Sequence, residues 1–342
     1  MRKRSVIGIL LLGFCIACRS FTLVADFYAE RLYPVLSGAL SWLGSFTSYS
    51  LEEIAVLAFA VSFVVILVKA VRHKEGFLSW LRKTAMVLVW LLVWIYMGWG
   101  NNYYRTSLYA RKGILPAAYD EEVFKGFLEE YSQEINAAAD VDGDYDPQAL
   151  EEEIRAFYEH EVTAYGYTKI RKWQHVKRPL FNRLFSAVRV QGYMGPFFCE
   201  SQVNGEVLEN EYPYVAAHEM AHLAGVTSEA EASWWGFACC RKSESAAVRY
   251  SAYLSVLPYV LSNAAALLSE EEFSAWTATL CEKAKADYTG SQTYWRGKRI
   301  GWLDKAQNWF FSLYLRSNGV SEGIKDYYGV VSIIMTMDNE VL

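Results

Sequence analysis

The sequence predicts an α+β protein in which N-terminal transmembrane helices precede a mainly helical domain carrying a small β-sheet. Three observations predict it. Long apolar runs crowd the first hundred residues, apolar positions at helical spacing dominate the rest of the chain, and the stretch from residue 185 to 203 alternates as strands do. The chain has 342 residues, enough to bury a substantial core, and its 53% hydrophobic share is high for a wholly soluble protein. A formal net charge of -5 supplies no basic stripe for a phosphate backbone, so nucleic acid is not an expected partner.

Arg2-Lys3-Arg4 precedes an apolar run from Ser5 to Cys18, extendable to about Val24, that reads as an anchor or a signal-peptide core. Two further runs, Ile54 to Val68 and Ala85 to Gly100, approach the roughly 20 residues that cross a bilayer once their flanks are counted. Trp99, Tyr103 and Tyr104 mark one end as an interfacial belt would. Residues 1–103 are therefore expected to be an anchor of about three helices in a lipid bilayer, and residues 104–342 a separate domain. The cations Arg2, Lys3, Arg4, Lys69, Arg72, Lys74, Arg82 and Lys83 outnumber Arg19, Arg31, Arg105, Arg111 and Lys112. By the positive-inside rule, that places the second domain outside the cytoplasm.

In that domain, residues 120–136 and 147–165 carry apolar positions at helical spacing among glutamates, predicting two amphipathic helices. Asp140-Val141-Asp142-Gly143-Asp144 between them mimics a calcium loop. Tyr145 stands where such a loop needs glycine, so a solvated acidic linker is the better reading. Phe185 to Val190 and Phe197 to Val203 read as extended segments separated by Gly192, Gly195 and Pro196. Of the six cysteines Cys15 and Cys18 have CxxC spacing, but they lie in an apolar run without any second pair, so no zinc knuckle is expected.

The chemistry concentrates in His218-Glu219-Met220-Ala221-His222. A helix capped by Asn210, tolerating Pro213 in its first turn and stopping near Gly225, sets the two histidines one turn apart on one face. At that spacing two imidazoles can share one Zn²⁺, with Glu219 beside them to take a proton from water. His73, His160 and His175 lie in charged surroundings and read as solvated. Catalytic zinc needs a third protein donor. Ser228-Glu229-Ala230-Glu231 reads as a capping box that occupies Glu231 and leaves Glu229 facing the histidines, so Glu229 is favoured and Glu231 is the alternative. The carboxylates Glu206, Glu209, Glu211, Glu229 and Glu231 crowd both sides of this helix, which argues for a water-exposed domain rather than a bilayer site. Tyr253, His175 and Tyr294 are the possible oxyanion donors. Met194 to Asn204 reads as an edge strand, either of the kind that holds an extended peptide or an ordinary sheet edge.

The arrangement resembles the glycine turn of metzincins with a carboxylate one residue beyond their third histidine, a gluzincin-like ligand set. The three apolar runs, the segment Gly195-Pro196-Phe197-Phe198-Cys199-Glu200-Ser201-Gln202-Val203-Asn204, HEMAHLAG with SEAEASWWGFACC, and the tail motifs Tyr314 to Asn318 and Glu322 to Tyr327 carry a wider resemblance. Nearly the whole chain is similar to an uncharacterised bacterial membrane family, domain of unknown function thirty-eight-ten. That resemblance implies a multi-pass membrane protein with a zincin-like domain, His218 and His222 as metal ligands and Glu219 as catalytic base. The chain departs from the family's pattern at Phe198-Cys199 and at Ser233, where relatives commonly carry Thr-Gly and an Asn or Asp. The expectation is thus a zinc metallopeptidase acting on peptide or protein. The alternatives are an inactive membrane-tethered binding or sensory protein with structural zinc, and a scaffold without metal.

Overall fold

The computed structural model describes residues 3–72, 76–116, 119–141, 144–320 and 329–341. Arg2, His73, Lys74, Asp142-Gly143 and the Glu322 to Tyr327 motif lie outside them. Helix α1 (Lys3–Ser20) leads into α2 (Thr22–Phe27), a π-helical turn (Tyr28–Leu32) and α3 (Tyr33–Gly44), followed by α4 (Leu51–Arg72) and α5 (Phe77–Gly98). At 1.5 Å per residue the 22 residues of α4 and of α5 each run about 33 Å, which matches a hydrocarbon core of roughly 30 Å. Both are long and apolar enough to cross a membrane. The first apolar run departs from expectation: α1 ends at Ser20, and the chain bends by 116° between Lys3–Ser20 and Thr22–Gly44. A third crossing exists only if that bent pair counts as one span.

After α6 (Leu108–Lys112) come α7 (Glu121–Ala139) and α8 (Pro147–His160), the two amphipathic helices expected from spacing. Asp120 and Asp146 cap them through the backbone N–H groups of Val123 (3.0 Å) and Ala149 (2.9 Å). Next come α9 (Asn182–Ala187), β1 (Gly192–Gly195), β2 (Glu200–Val203), α10 (Tyr212–Leu223), α11 (Glu229–Arg241) and α12 (Ala246–Leu267). Helices α13 (Glu270–Thr279), α14 (Glu282–Lys298), α15 (Gly301–Ser317) and α16 (Val330–Val341) complete the chain.

The sheet is smaller than expected. Residues 185–190 are not a strand: Leu184, Phe185 and Val188 are spaced as well for a helical turn as for alternation, α9 takes the chain as far as Ala187, and a turn follows from Val188. Phe197 and Phe198 form a turn because the Glu52 carboxylate, at the start of α4, accepts both of their N–H groups (2.8 and 3.1 Å). Pairing resumes only at Glu200, in an antiparallel register that sets Gly192 opposite Val203 and Gly195 opposite Glu200. On its other side β2 meets Lys177, whose N–H donates to the Ser201 carbonyl (2.9 Å), so β1 is the outer strand. Lys177 and Glu200 form a buried ion pair at 2.7 Å, and Lys177 also donates to the Gly44 carbonyl (2.6 Å). That supplies the extra partners a buried pair needs.

Helices α10 and α11 lie at the centre, packed by α8 and α12. Trp234, Trp235, Phe237, Tyr158 and Met220 are fully buried among them. The core is continuous across residue 103, since Tyr28, Tyr33 and Trp99 belong to the same apolar cluster. All three have polar tasks as well, Tyr28 donating to the Met97 carbonyl at 2.8 Å. The last carbonyls of a helix lack intrahelical partners. At the end of α10, Trp99 Nε1 donates to the His222 carbonyl and the Tyr33 hydroxyl to that of Leu223, both at 2.9 Å.

Candidate metal centre

Helix α10 starts at Tyr212 with Glu211, not Asn210, in the capping position, and Pro213 sits in its first turn. Gly225 then takes a positive φ of 97°, and the chain turns back toward α11. Ser228 caps α11 by accepting the N–H of Glu231 at 3.2 Å. The Glu231 carboxylate turns to the Tyr167 hydroxyl and to Trp235 Nε1 (3.4 Å), with Arg105 and Arg111 stacked on the Tyr167 ring. Glu229, in the same first turn, faces the histidines. Its Oε2 lies 3.4 Å from His218 Nε2 and 3.5 Å from His222 Nε2. The helices approach this closely because Gly236 has no side chain; a Cβ there would stand 3.1 Å from the His218 nitrogen.

Whether these residues fit zinc is a geometric question. Donors 2.0–2.1 Å from a tetrahedral ion lie about 3.3–3.4 Å apart. Both carboxylate–imidazole distances match that edge, and all three ligand atoms lie within 4.8 Å of one another. The imidazoles are also oriented. His222 Nδ1 stands 2.8 Å from the Val226 carbonyl, which can only accept, so Nδ1 carries hydrogen and Nε2 faces the cluster. Ser233 Oγ lies 3.3 Å from His218 Nδ1 and holds that ring in turn.

All four ionisable groups are buried. Burial opposes charge on His222, yet the Glu229 carboxylate more than offsets it and raises the imidazole to about 9. Burial likewise opposes ionisation of Glu229, but the two imidazoles hold it well below the usual carboxylate range. His218 is lowered, chiefly by burial. Burial raises Glu219 to about 8, and its Oε2 is buried without a hydrogen-bond partner. An orphaned carboxylate oxygen beside a ligand cluster marks the place of a further group.

A cleft of about 940 Å³ opens over these residues. Strand β1 forms one side so closely that a Cβ on Gly192 would lie 2.6 Å from Glu219 Cγ. Helix α5 contributes Ile95 and, just past its end, Trp99, and α15 contributes Leu303, Asp304 and Tyr314. None of the three oxyanion donors expected from sequence lines the cleft. Tyr253 packs on Phe237 in the core, Tyr294 donates to the Glu206 carbonyl (2.8 Å), and His175 is half-buried near Lys177. The phenols that do line it are Tyr103, Tyr193, Tyr214, Tyr259 and Tyr314. Tyr214 precedes His218 by one turn and was findable by spacing; Tyr314, 92 residues beyond His222, carries no local signal.

A family model described as a protein of unknown function, DUF3810, matches residues 28–335. The chain belongs to the DUF3810 family. No curated protein and no solved structure matches it. The DUF3810 match spans the cluster, the cleft and both of the long apolar helices.

Proposed function

We propose that this DUF3810 protein is a membrane-anchored zinc metallopeptidase of zincin-like design, with His218, His222 and Glu229 as metal ligands and Glu219 as general base. The observation that carries the reading is the convergence of three ligand atoms within 4.8 Å beside the unpartnered carboxylate oxygen of Glu219. Among the described residues the cluster offers three protein donors, whereas structural zinc takes four. That difference favours an enzyme over a structural-zinc protein.

Zinc at this site supplies Lewis-acid polarisation of a carbonyl and acidifies water. Glu219 accepts the proton of the attacking water and returns it to the departing amine. With a carboxyl raised to about 8 by burial, Glu219 ionises at neutral pH only with positive charge beside it, which ties the base to a loaded site. Tyr314 donates to the developing oxyanion. Burial pushes its phenol upward, so it keeps its proton across the working pH range. The outer strand β1 lies alongside Glu219, where an extended peptide can add as a further strand and present its carbonyls in register.

The α4–α5 hairpin supports a site outside the cytoplasm. Leu51 and Gly98 lie at the end that carries the domain, and Lys69, Arg72, Arg82 and Lys83 cluster at the other end. The test uses the full chain in detergent. Wild type and Glu219→Gln are loaded with zinc, their metal content is measured, and a peptide mixture is digested. Both should bind about one zinc, and the variant should lose about 10²–10⁴-fold in rate. Equal release of the same fragments by both would refute the mechanism.

A further inference from the structure

Helix α15 has two faces of different character. Its inner face, with Leu303, Asp304, Gln307, Phe311 and Tyr314, walls the cleft. Its outer face repeats at i, i+7 and i+11 and shows Trp302 (74% exposed), Trp309 (62%) and Leu313 (53%), with Phe310 (64%) alongside. Lys305 and Arg316 are exposed on the same helix. A cleft wall with two tryptophans turned outward asks what covers them.

The attachments of α15 answer that. At its C-terminal end the Asn318 side-chain oxygen accepts from the hydroxyls of Tyr96 (3.0 Å) and Tyr104 (2.9 Å), which fixes that end at the close of α5. At its N-terminal end the Ile300 N–H donates to the Ala187 carbonyl (2.9 Å), at the end of α9. The segment leading into α9 is held in turn by Glu53, near the start of α4, which accepts the N–H groups of Leu180 and Phe181 (2.9 Å for the latter). Both ends of this helix, about 25 Å long, are thus tied to the same ends of the two long apolar helices. Leu180 and Phe181, in the segment that Glu53 holds, are exposed apolar residues as well. The turn at Phe197 and Phe198 reaches down between α4 and α5, where Phe197 stacks on Phe59 (5.4 Å) and meets Trp94 (5.8 Å).

We infer that α15 is an interfacial helix whose tryptophan face rests in the lipid headgroup layer, so that the metal cleft opens onto the bilayer surface and takes polypeptide held there. The occupant is lipid because α15, with its exposed tryptophans, is fastened to the domain-bearing ends of α4 and α5, the two helices long and apolar enough to cross a membrane. Tryptophan at the headgroup level and flanking cations suit that layer. The substrate class rests on the hydrolase reading above; the seating of α15 does not.

The test reconstitutes the full chain in vesicles of phosphatidylcholine and phosphatidylglycerol. Nitroxide labels go on Trp309→Cys, on Leu313→Cys and, as an aqueous reference, on Lys283→Cys of α14. The background is Cys281→Ser, because the other five cysteines are buried. Collision with oxygen should exceed collision with a nickel chelate at 309 and 313 and fall below it at 283. Nickel access at 309 and 313 equal to that at 283 would overturn the proposal, as would strong label–label broadening at 309, which would mean that a second copy covers the face. A second arm anchors one peptide to the vesicles by a palmitoyl chain through a linker of about three residues, reaching about 10 Å, or about fifteen residues. A cleft at the surface cuts both at similar rates, and Trp302→Ser with Trp309→Ser slows the short-linker peptide selectively, by about tenfold, while Trp→Phe at both restores it. Cleavage of the long-linker peptide alone by wild type would overturn the assignment of substrate. If neither peptide nor its free form is cut, the hydrolase reading fails and the label depths still decide the seat of α15.

Discussion

Replacing Glu229 and Glu231 in turn separates metal binding from fold. The two carboxylates sit two residues apart in one helical turn, both buried, and have different neighbours. Glu229 Oε2 stands 3.4 and 3.5 Å from the two Nε2 atoms, the spacing of donors around one tetrahedral ion. Removing a group that merely supports a ligand costs about 10–100-fold in metal affinity, so Glu229→Gln should cost more than about 100-fold, above about 2.7 kcal/mol. Glu231 accepts from Tyr167 and Trp235 and balances the charge of Arg105 and Arg111. Glu231→Ala strands those groups, at about 3–5 kcal/mol of stability against a total of about 5–15. Competition with a fluorescent chelator gives the zinc affinity, and denaturant unfolding of the full chain gives the stability. Glu229→Gln should lose zinc affinity with a smaller change in unfolding midpoint, and the milder Glu231→Gln should keep zinc. If Glu231→Gln loses the metal while Glu229→Gln retains it, the ligand assignment is wrong.

Four further outcomes are expected. His222 is raised to about 9 and must shed its proton to bind metal, whereas His218 is lowered and has none to shed. Zinc uptake at pH 7 should therefore release about two protons, one from His222 and one from Glu219, which is raised to about 8 and ionises as the site loads, and apparent affinity should climb by more than about tenfold per pH unit below 8 and flatten near 9. The same sign governs the metal-free fold: an imidazole raised above its unfolded value stabilises fully below about 6.5, and that contribution fades as pH rises through 9. Gly192→Ala falls about 0.8 Å short of the 3.4 Å that ordinary contact with Glu219 Cγ needs, so it should displace the base and cut kcat about 10²-fold with zinc retained; unchanged kcat counts against β1 as the wall beside the base. Tyr314→Phe should lower kcat by about 10²–10³-fold with KM little moved, which steady-state kinetics on a purified fragment substrate would read.

Much of this architecture was legible because it is local. The pairing of His218 with His222 follows from one helical turn, the direction of Glu229 from the cap at Ser228, and α7 and α8 from apolar spacing with aspartate caps. The features that escaped reading depend on partners distant in the chain. Phe197 and Phe198 look like strand until Glu52, 145 residues away, takes their N–H groups. The phenols of the cleft come from the turn after α5, from β1, α12 and α15 as well as α10, and no periodicity within one segment predicts that they converge. The first apolar run has the composition of a crossing, but its bend depends on α2 and α3 packing back against the domain rather than on any residue in the run.

The contacts of Trp99 and Tyr33 with the final turn of α10 bear on how far the chain can be divided. Excising residues 1–103 as a mere tether would strip the outer lids from the carbonyls of His222 and Leu223 and unzip the very turn that presents the second imidazole. The half that carries the histidines lacks autonomy in this sense, and a soluble fragment that fails to hold zinc would report on that amputation rather than on the ligands.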